Sequence, residues 1–204
     1  NAVGTPEERD AYAGSMFESY YSQYEPSEFA AQVWTNNARL AAICVASGIT
    51  GALPAWVLFA NALNIGRAAA VMADHGVLSL FFALITPHGL LELTCVFVAG
   101  GAGLRLFWTL LVPGPRSRGV ALAAEGRALI TVAVTLTAAL AVAGLIEAFV
   151  TPSQMPWAVK FVVGVLAVTA LWAYTLVLGR RAADAGQTGD LDEEEAGVAL
   201  PEAG

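Results

Sequence analysis

The chain has 204 residues, of which 57% are hydrophobic and only 13% charged, and its apolar stretches suffice to cross a hydrocarbon core of about 30 Å, which takes roughly 20 residues as helix. Residues 128–150 and 157–178 are apolar on every face and lack the alternation of barrel strands, so the spans are helical. The net charge of −7 resides in seven acids after Ala183, namely Asp184, Asp190, Asp192, Glu193, Glu194, Glu195 and Glu202; the body balances its charges, and with no basic patch a nucleic-acid partner is excluded.

The expected fold is all-α: a polytopic transmembrane helical bundle with an N-terminal interfacial helix and a disordered acidic tail. Asn1 is preceded by no Met and followed by no cleavable leader, so further residues are expected upstream. Residues 1–35 form an extracytoplasmic amphipathic segment. Thr5-Pro6-Glu7-Glu8 supplies an N-cap, a first-turn proline and a capping-box glutamate. Tyr12, Met16, Tyr20 and Tyr24 recur every fourth residue beside Phe17 and Tyr21, a stripe suited to the membrane interface or to packing on neighbouring helices. Pro26-Ser27-Glu28 restarts a helix through Phe29, Val33 and Trp34 to Asn36 and Asn37.

Residues 36–182 are expected to hold about five spans. The first runs from about Ala38 into the fifties. Between Pro54 and Pro87 two registers compete: a crossing to about Phe59 and another from Gly66 to Ile85, or a helix ending at Ala73 followed by a half-helix, Leu78 to Ile85, broken within 85–89. Clear spans follow at Leu90 to Leu111, Arg127 to Val150 and Trp157 to Leu178, separated by polar turns at 113–118 and 151–154. By the positive-inside rule Arg67, Arg105, Arg116, Arg118, Arg127, Arg180 and Arg181 lie toward the cytoplasm, and Arg9, Arg39 and Lys160 outward. The N-terminal segment is then outside. Residues 183–204, a block of like charge without apolar periodicity, form a disordered cytoplasmic tail.

Three constellations stand out. His88 and Glu92, one helical turn apart, share a depth with Glu147, and ionisable groups in spans are functional candidates; they suit a proton site, a cation site, a partner pocket, or a polar contact that fixes packing. Asn61, Asn64 and Arg67 share a helical face, with Asp74 as candidate counter-charge; they suit a polar path, or an interfacial loop with a snorkelling arginine. Gly100, Gly101 and Gly103 allow close helix packing and match no phosphate-binding fingerprint. Cys44 and Cys95 read as packing residues. Two histidines and no Cys-x-x-Cys offer too few ligands for a dedicated zinc site, and no serine has nucleophile context. No catalytic residue, metal or cofactor is expected.

Thr35-Asn36-Asn37-Ala38, Phe59-Ala60-Asn61-Ala62-Leu63-Asn64, Pro87-His88-Gly89-Leu90-Leu91-Glu92-Leu93, Gly101-Ala102-Gly103-Leu104-Arg105 and Glu147-Ala148-Phe149-Val150-Thr151-Pro152-Ser153 together resemble the stage II sporulation protein M family, over about Phe29 to Arg181. The resemblance implies a bacterial cytoplasmic-membrane protein. In spore formers the family's name-giver belongs to a peptidoglycan-degrading complex, holding wall hydrolases rather than cutting glycan; many relatives occur in bacteria that never sporulate. The family's usual further N-terminal span has no counterpart here, and no catalytic residues carry over. The expected function is a non-enzymatic multi-pass scaffold or subunit of a bacterial cell-envelope complex, of peptidoglycan-remodelling or sporulation-like kind. Its expected contacts are the lipid bilayer, membrane or envelope proteins including wall hydrolases, and a further copy in a homo-oligomer. The alternative is a transporter, permease or channel subunit in which Arg67, His88, Glu92 and Glu147 line a conduit.

Overall fold

The computed structural model describes residues 4–16, 19–20 and 25–187; all regular elements among them are helical. The short α1 (Pro6–Ala11) runs into a π turn, Tyr12–Met16. The long helices are α2 (Pro26–Ala46), α3 (Ala52–Asp74), α4 (Leu78–Leu111), α5 (Arg118–Val150) and α6 (Trp157–Asp184). Among the described residues four helices, α3 to α6, are long and apolar enough to cross a membrane.

Local chemistry sets the helix ends. Thr5 caps α1 and Glu8 reaches back to the Thr5 backbone N–H at 2.7 Å, closing the capping box. A 3-10 turn, Ser47–Thr50, and Gly51 at φ 67° reverse the chain between α2 and α3. Gly76 at φ 72° does so between α3 and α4, a conformation that a side chain would strain. Ser117 caps α5, and the Arg105–Glu125 ion pair, 2.5 Å, clamps the α4–α5 turn.

Helix α4 is the axis, with α2, α3, α5 and α6 packed on it. Of the two buried clusters, one gathers Phe29, Val33, Met72, Phe81 and Leu84 near the α3–α4 turn. The other joins Cys44, Leu91, Cys95, Ala99 and Leu140, with both cysteines free and fully buried. In lipid such contacts gain by close dispersion packing rather than by escape from water. Backbone proximity is therefore decisive. A side chain at Gly103 would overlap the Cys44 carbonyl, and one at Gly48 would overlap the Gly103 backbone, so these glycines let the end of α2 and the turn after it meet the α4 backbone directly. Gly100 seats the Leu58 side chain from α3. Gly101, expected to share this role, faces open space.

Three span expectations need correction. The stretch from Ala38 into the fifties is not one helix, because the chain turns at residues 47–51. Neither register between Pro54 and Pro87 is met in full: the second helix does end near Ala73, at Asp74, yet α4 is continuous through 85–89. Pro87 withdraws the N–H that would bond the Ala83 carbonyl without breaking the helix, an accommodation common in membrane helices. Among the described residues four helices, rather than about five, are long and apolar enough to cross a membrane; α2 carries Glu28, Gln32, Asn36, Asn37 and Arg39.

Of the aromatic stripe, Tyr12 packs against the first cluster and Tyr20 meets Phe29 edge-on at 5.2 Å. Phe17, Tyr21, Tyr24 and the Met16 side chain lie outside the described residues, as do residues 188–204 of the acidic tail. Ala183 and Asp184 complete α6.

Candidate functional site

Helix α4 sets His88 directly after Pro87 and Glu92 one turn later on the same face. Facing them, α5 ends in a π turn, Ile146–Val150, closed by the Thr151 N–H to the Ile146 carbonyl at 3.0 Å. Such wide turns re-aim side chains and recur at functional sites. This one turns Glu147 inward, where its Oε2 lies 3.9 Å from His88 Nε2. One ligand atom from each of His88, Glu92 and Glu147 falls within 4.8 Å of the others. The three expected residues are thus brought together as one ring.

The ring is interior. His88 is 3% exposed and Glu147 5%, with Glu92 half-buried, so a partner protein does not reach His88 or Glu147 directly. Three residues outside the expected set hold it in place. Asn37 of α2 donates from Nδ2 to Glu92 Oε1 at 2.7 Å. Thr151, fully buried, lies 3.2 Å from His88 Nδ1 through its hydroxyl, which donates to the Ile146 carbonyl at 3.4 Å. Lys160 of α6 donates to the Thr151 carbonyl at 2.6 Å. The adjacent asparagines and the Thr151-Pro152-Ser153 turn were the only sequence signals for them. A pair separated by 55 residues, as Asn37 and Glu92 are, leaves no local pattern.

Asn64 and Arg67 belong elsewhere. They line a groove of about 580 Å³ between α1 and α3, opposite Glu7, Glu8 and Tyr12. Asn61, half-buried one turn away, is outside its lining, and Arg67 forms no ion pair with Asp74. None of the ring residues borders this groove. Beyond the end of α3, the His75 ring donates from Nδ1 to the Val71 carbonyl at 2.7 Å and from Nε2 to Asp10 at 2.8 Å. Both nitrogens face acceptors, so the protonated ring is favoured, and the bond to Asp10, then that to Val71, raises the His75 pKa above its ordinary value.

Chemically, the ring can share a proton, hold a cation, or pin α2, α4 and α5 together. No curated protein and no solved structure matches the chain at a significant level. The family model for stage II sporulation protein M matches residues 2–152, ending just past Thr151 and leaving α6 outside the match. With its apolar helices packed about α4 and its His88–Glu92–Glu147 ring inside the matched region, this multi-pass membrane protein belongs to the stage II sporulation protein M family.

Proposed function

We propose that the protein is a non-enzymatic scaffold of the bacterial cytoplasmic membrane, a subunit of a cell-envelope complex that holds peptidoglycan-remodelling partners. One observation carries this reading: the outward face of α2. Glu28, Gln32, Thr35, Asn36 and Arg39 recur at helical spacing and all are exposed. Asn37 bonds Glu92 and the Cys44 carbonyl abuts Gly103, so α2 runs parallel to α4. Arg39 therefore stands level with Thr94 and Cys95, halfway along α4. It forms no ion pair among the described residues. An arginine at the centre of a bilayer costs about 2.5–3.5 kcal/mol on insertion scales, and polar side chains at that depth pair across helices. A partner helix bearing a carboxylate at the depth of Arg39 and hydrogen-bonding groups opposite Asn36 and Gln32 would relieve that cost.

The basic residues support an orientation. Arg105, Arg116, Arg118, Arg127, Arg180 and Arg181 gather at the end of the bundle holding the α4–α5 turn, which becomes cytoplasmic. Arg67 joins the other half, because α3 continues past it to Asp74.

The test is purification of the tagged full-length protein from native membranes in mild detergent, with mass spectrometry of bound chains and measurement of the native mass. A stoichiometric envelope protein with a membrane helix is expected, its recovery falling roughly tenfold or more in Arg39→Leu and Asn36→Leu, while yield and thermal stability hold. Undiminished recovery in both variants overturns the assignment of this face. A proton or cation flux in proteoliposomes that Arg39→Leu abolishes overturns the scaffold reading in favour of a conduit.

A further inference from the structure

Independently of any partner, we infer that His88, Glu92 and Glu147 form a binding site for one divalent first-row transition-metal ion, zinc foremost. A point central to three atoms within 4.8 Å of one another lies at most about 2.8 Å from each, and zinc bonds nitrogen and carboxylate oxygen at about 2.0–2.2 Å. Closing that gap takes under about 1 Å of side-chain movement per ligand, without moving a helix. Imidazole with two carboxylates is a borderline donor set, suited to zinc more than to magnesium or calcium, which favour oxygen alone.

The surroundings point the same way. With the Thr151 hydroxyl donating to the Ile146 carbonyl, its oxygen is open to a proton from His88 Nδ1, the role this nitrogen takes in one of the two tautomers. That tautomer turns the Nε2 lone pair toward the Glu147 carboxylate, 3.9 Å away, as metal ligation requires. A lone pair facing an ionised carboxylate is relieved by a positive centre between them, a shared proton or a metal ion. Asn37 engages Glu92 through Oε1, leaving Oε2 to bind. Metal-bound histidines and carboxylates are characteristically oriented by such outer contacts. Two carboxylates and a divalent cation also sum to zero charge, which a buried site within a membrane favours. Lys160 gives its hydrogen bond to the Thr151 carbonyl rather than to a carboxylate of the ring.

The experiment uses the full-length protein in detergent, stripped with chelator, dialysed against zinc chloride and assayed for metal content. Expected are one zinc per chain, a melting temperature raised by zinc and lowered again by chelator, and, with cobalt(II), the intense visible bands of a four-coordinate site. Glu92→Gln and Glu147→Gln keep side-chain volume and abolish stoichiometric binding. Asn37→Ala and Thr151→Val weaken it about 10–100-fold. His75→Ala, which removes the other histidine, leaves it unchanged. The proposal is overturned if the wild-type protein retains no zinc and melts at the same temperature with and without it. It is equally overturned if both glutamine variants bind zinc as the wild type does.

Discussion

At the level of single residues, His75 and Asp10 join the N-terminal segment to the α3–α4 turn. The His75 pKa is raised by its bond to Asp10, so the contribution of this contact is complete below the unfolded value of about 6.5 and is lost as pH rises through the elevated folded value. Limited proteolysis within residues 4–16 is expected to be slow at pH 6 and faster above pH 8 or so, with His75→Gln removing the difference. Equal cleavage at both pH values would rule the clasp out. The glycines offer a paired test. Gly103→Ala pushes a methyl into the Cys44 carbonyl and is expected to cost about 1–3 kcal/mol, whereas Gly101→Ala meets nothing and is expected to fall within about 0.5 kcal/mol of wild type; thermal melts in detergent separate them. Both glycines lie in one small-residue run, and sequence could not rank them, because which of two near neighbours faces α2 depends on the rotation of α4. Asn36 and Asn37 teach the same lesson. One faces outward and the other binds Glu92, yet side by side in the sequence they read as a single polar edge.

At the level of elements, α4 is the instructive case. Its 34 residues make about 51 Å of helix, well beyond the hydrocarbon core of about 30 Å, so it tilts or stands proud of the bilayer. His88 and Glu92 were legible as a pair because helical spacing is local; the continuity of α4 through Pro87 was not, because it goes with the fit of another helix against that turn. Gly164 of α6 supplies the room, lying where a Cβ would come within 2.6 Å of the Pro87 carbonyl. Gly164→Val is therefore expected to destabilise the α4–α6 contact by about 1–3 kcal/mol, read as a lower melting temperature and as faster proteolysis of α6 in detergent. An unchanged melt would mean that α6 contributes little there. The helix expected from Pro26 to Asn37 and the start of the span expected from Ala38 are one helix, α2, which stops at Ala46; the turn at 47–51 depends on Gly51, whose positive φ of 67° the sequence does not announce.

At the level of the whole molecule, a topology with the α4–α5 turn inside can be checked by cysteine labelling, since Cys44 and Cys95 are buried and should stay silent. In intact cells an impermeant maleimide is expected to label Met155→Cys, while Pro115→Cys reacts only after permeabilisation; the reverse pattern would invert the protein in the membrane. The broad class was readable because composition and span length act on every residue, and His88, Glu92 and Glu147 were readable as ionisable groups at one depth; their partners Asn37 and Thr151 were not, because they lie 55 and 63 residues from the groups they bond. That separation bears on biogenesis. As the chain leaves the ribosome, Asn37 is available to Glu92 as soon as α4 inserts, whereas His88 must wait for Glu147 and Thr151 at the far end of α5. Until then a nascent chain carries an imidazole in lipid without the two groups that later face it. Ribosome-stalled chains ending before residue 147 should consequently be better substrates for membrane quality-control proteases than chains ending after 151, so that the ring serves as a checkpoint on the assembly of the bundle.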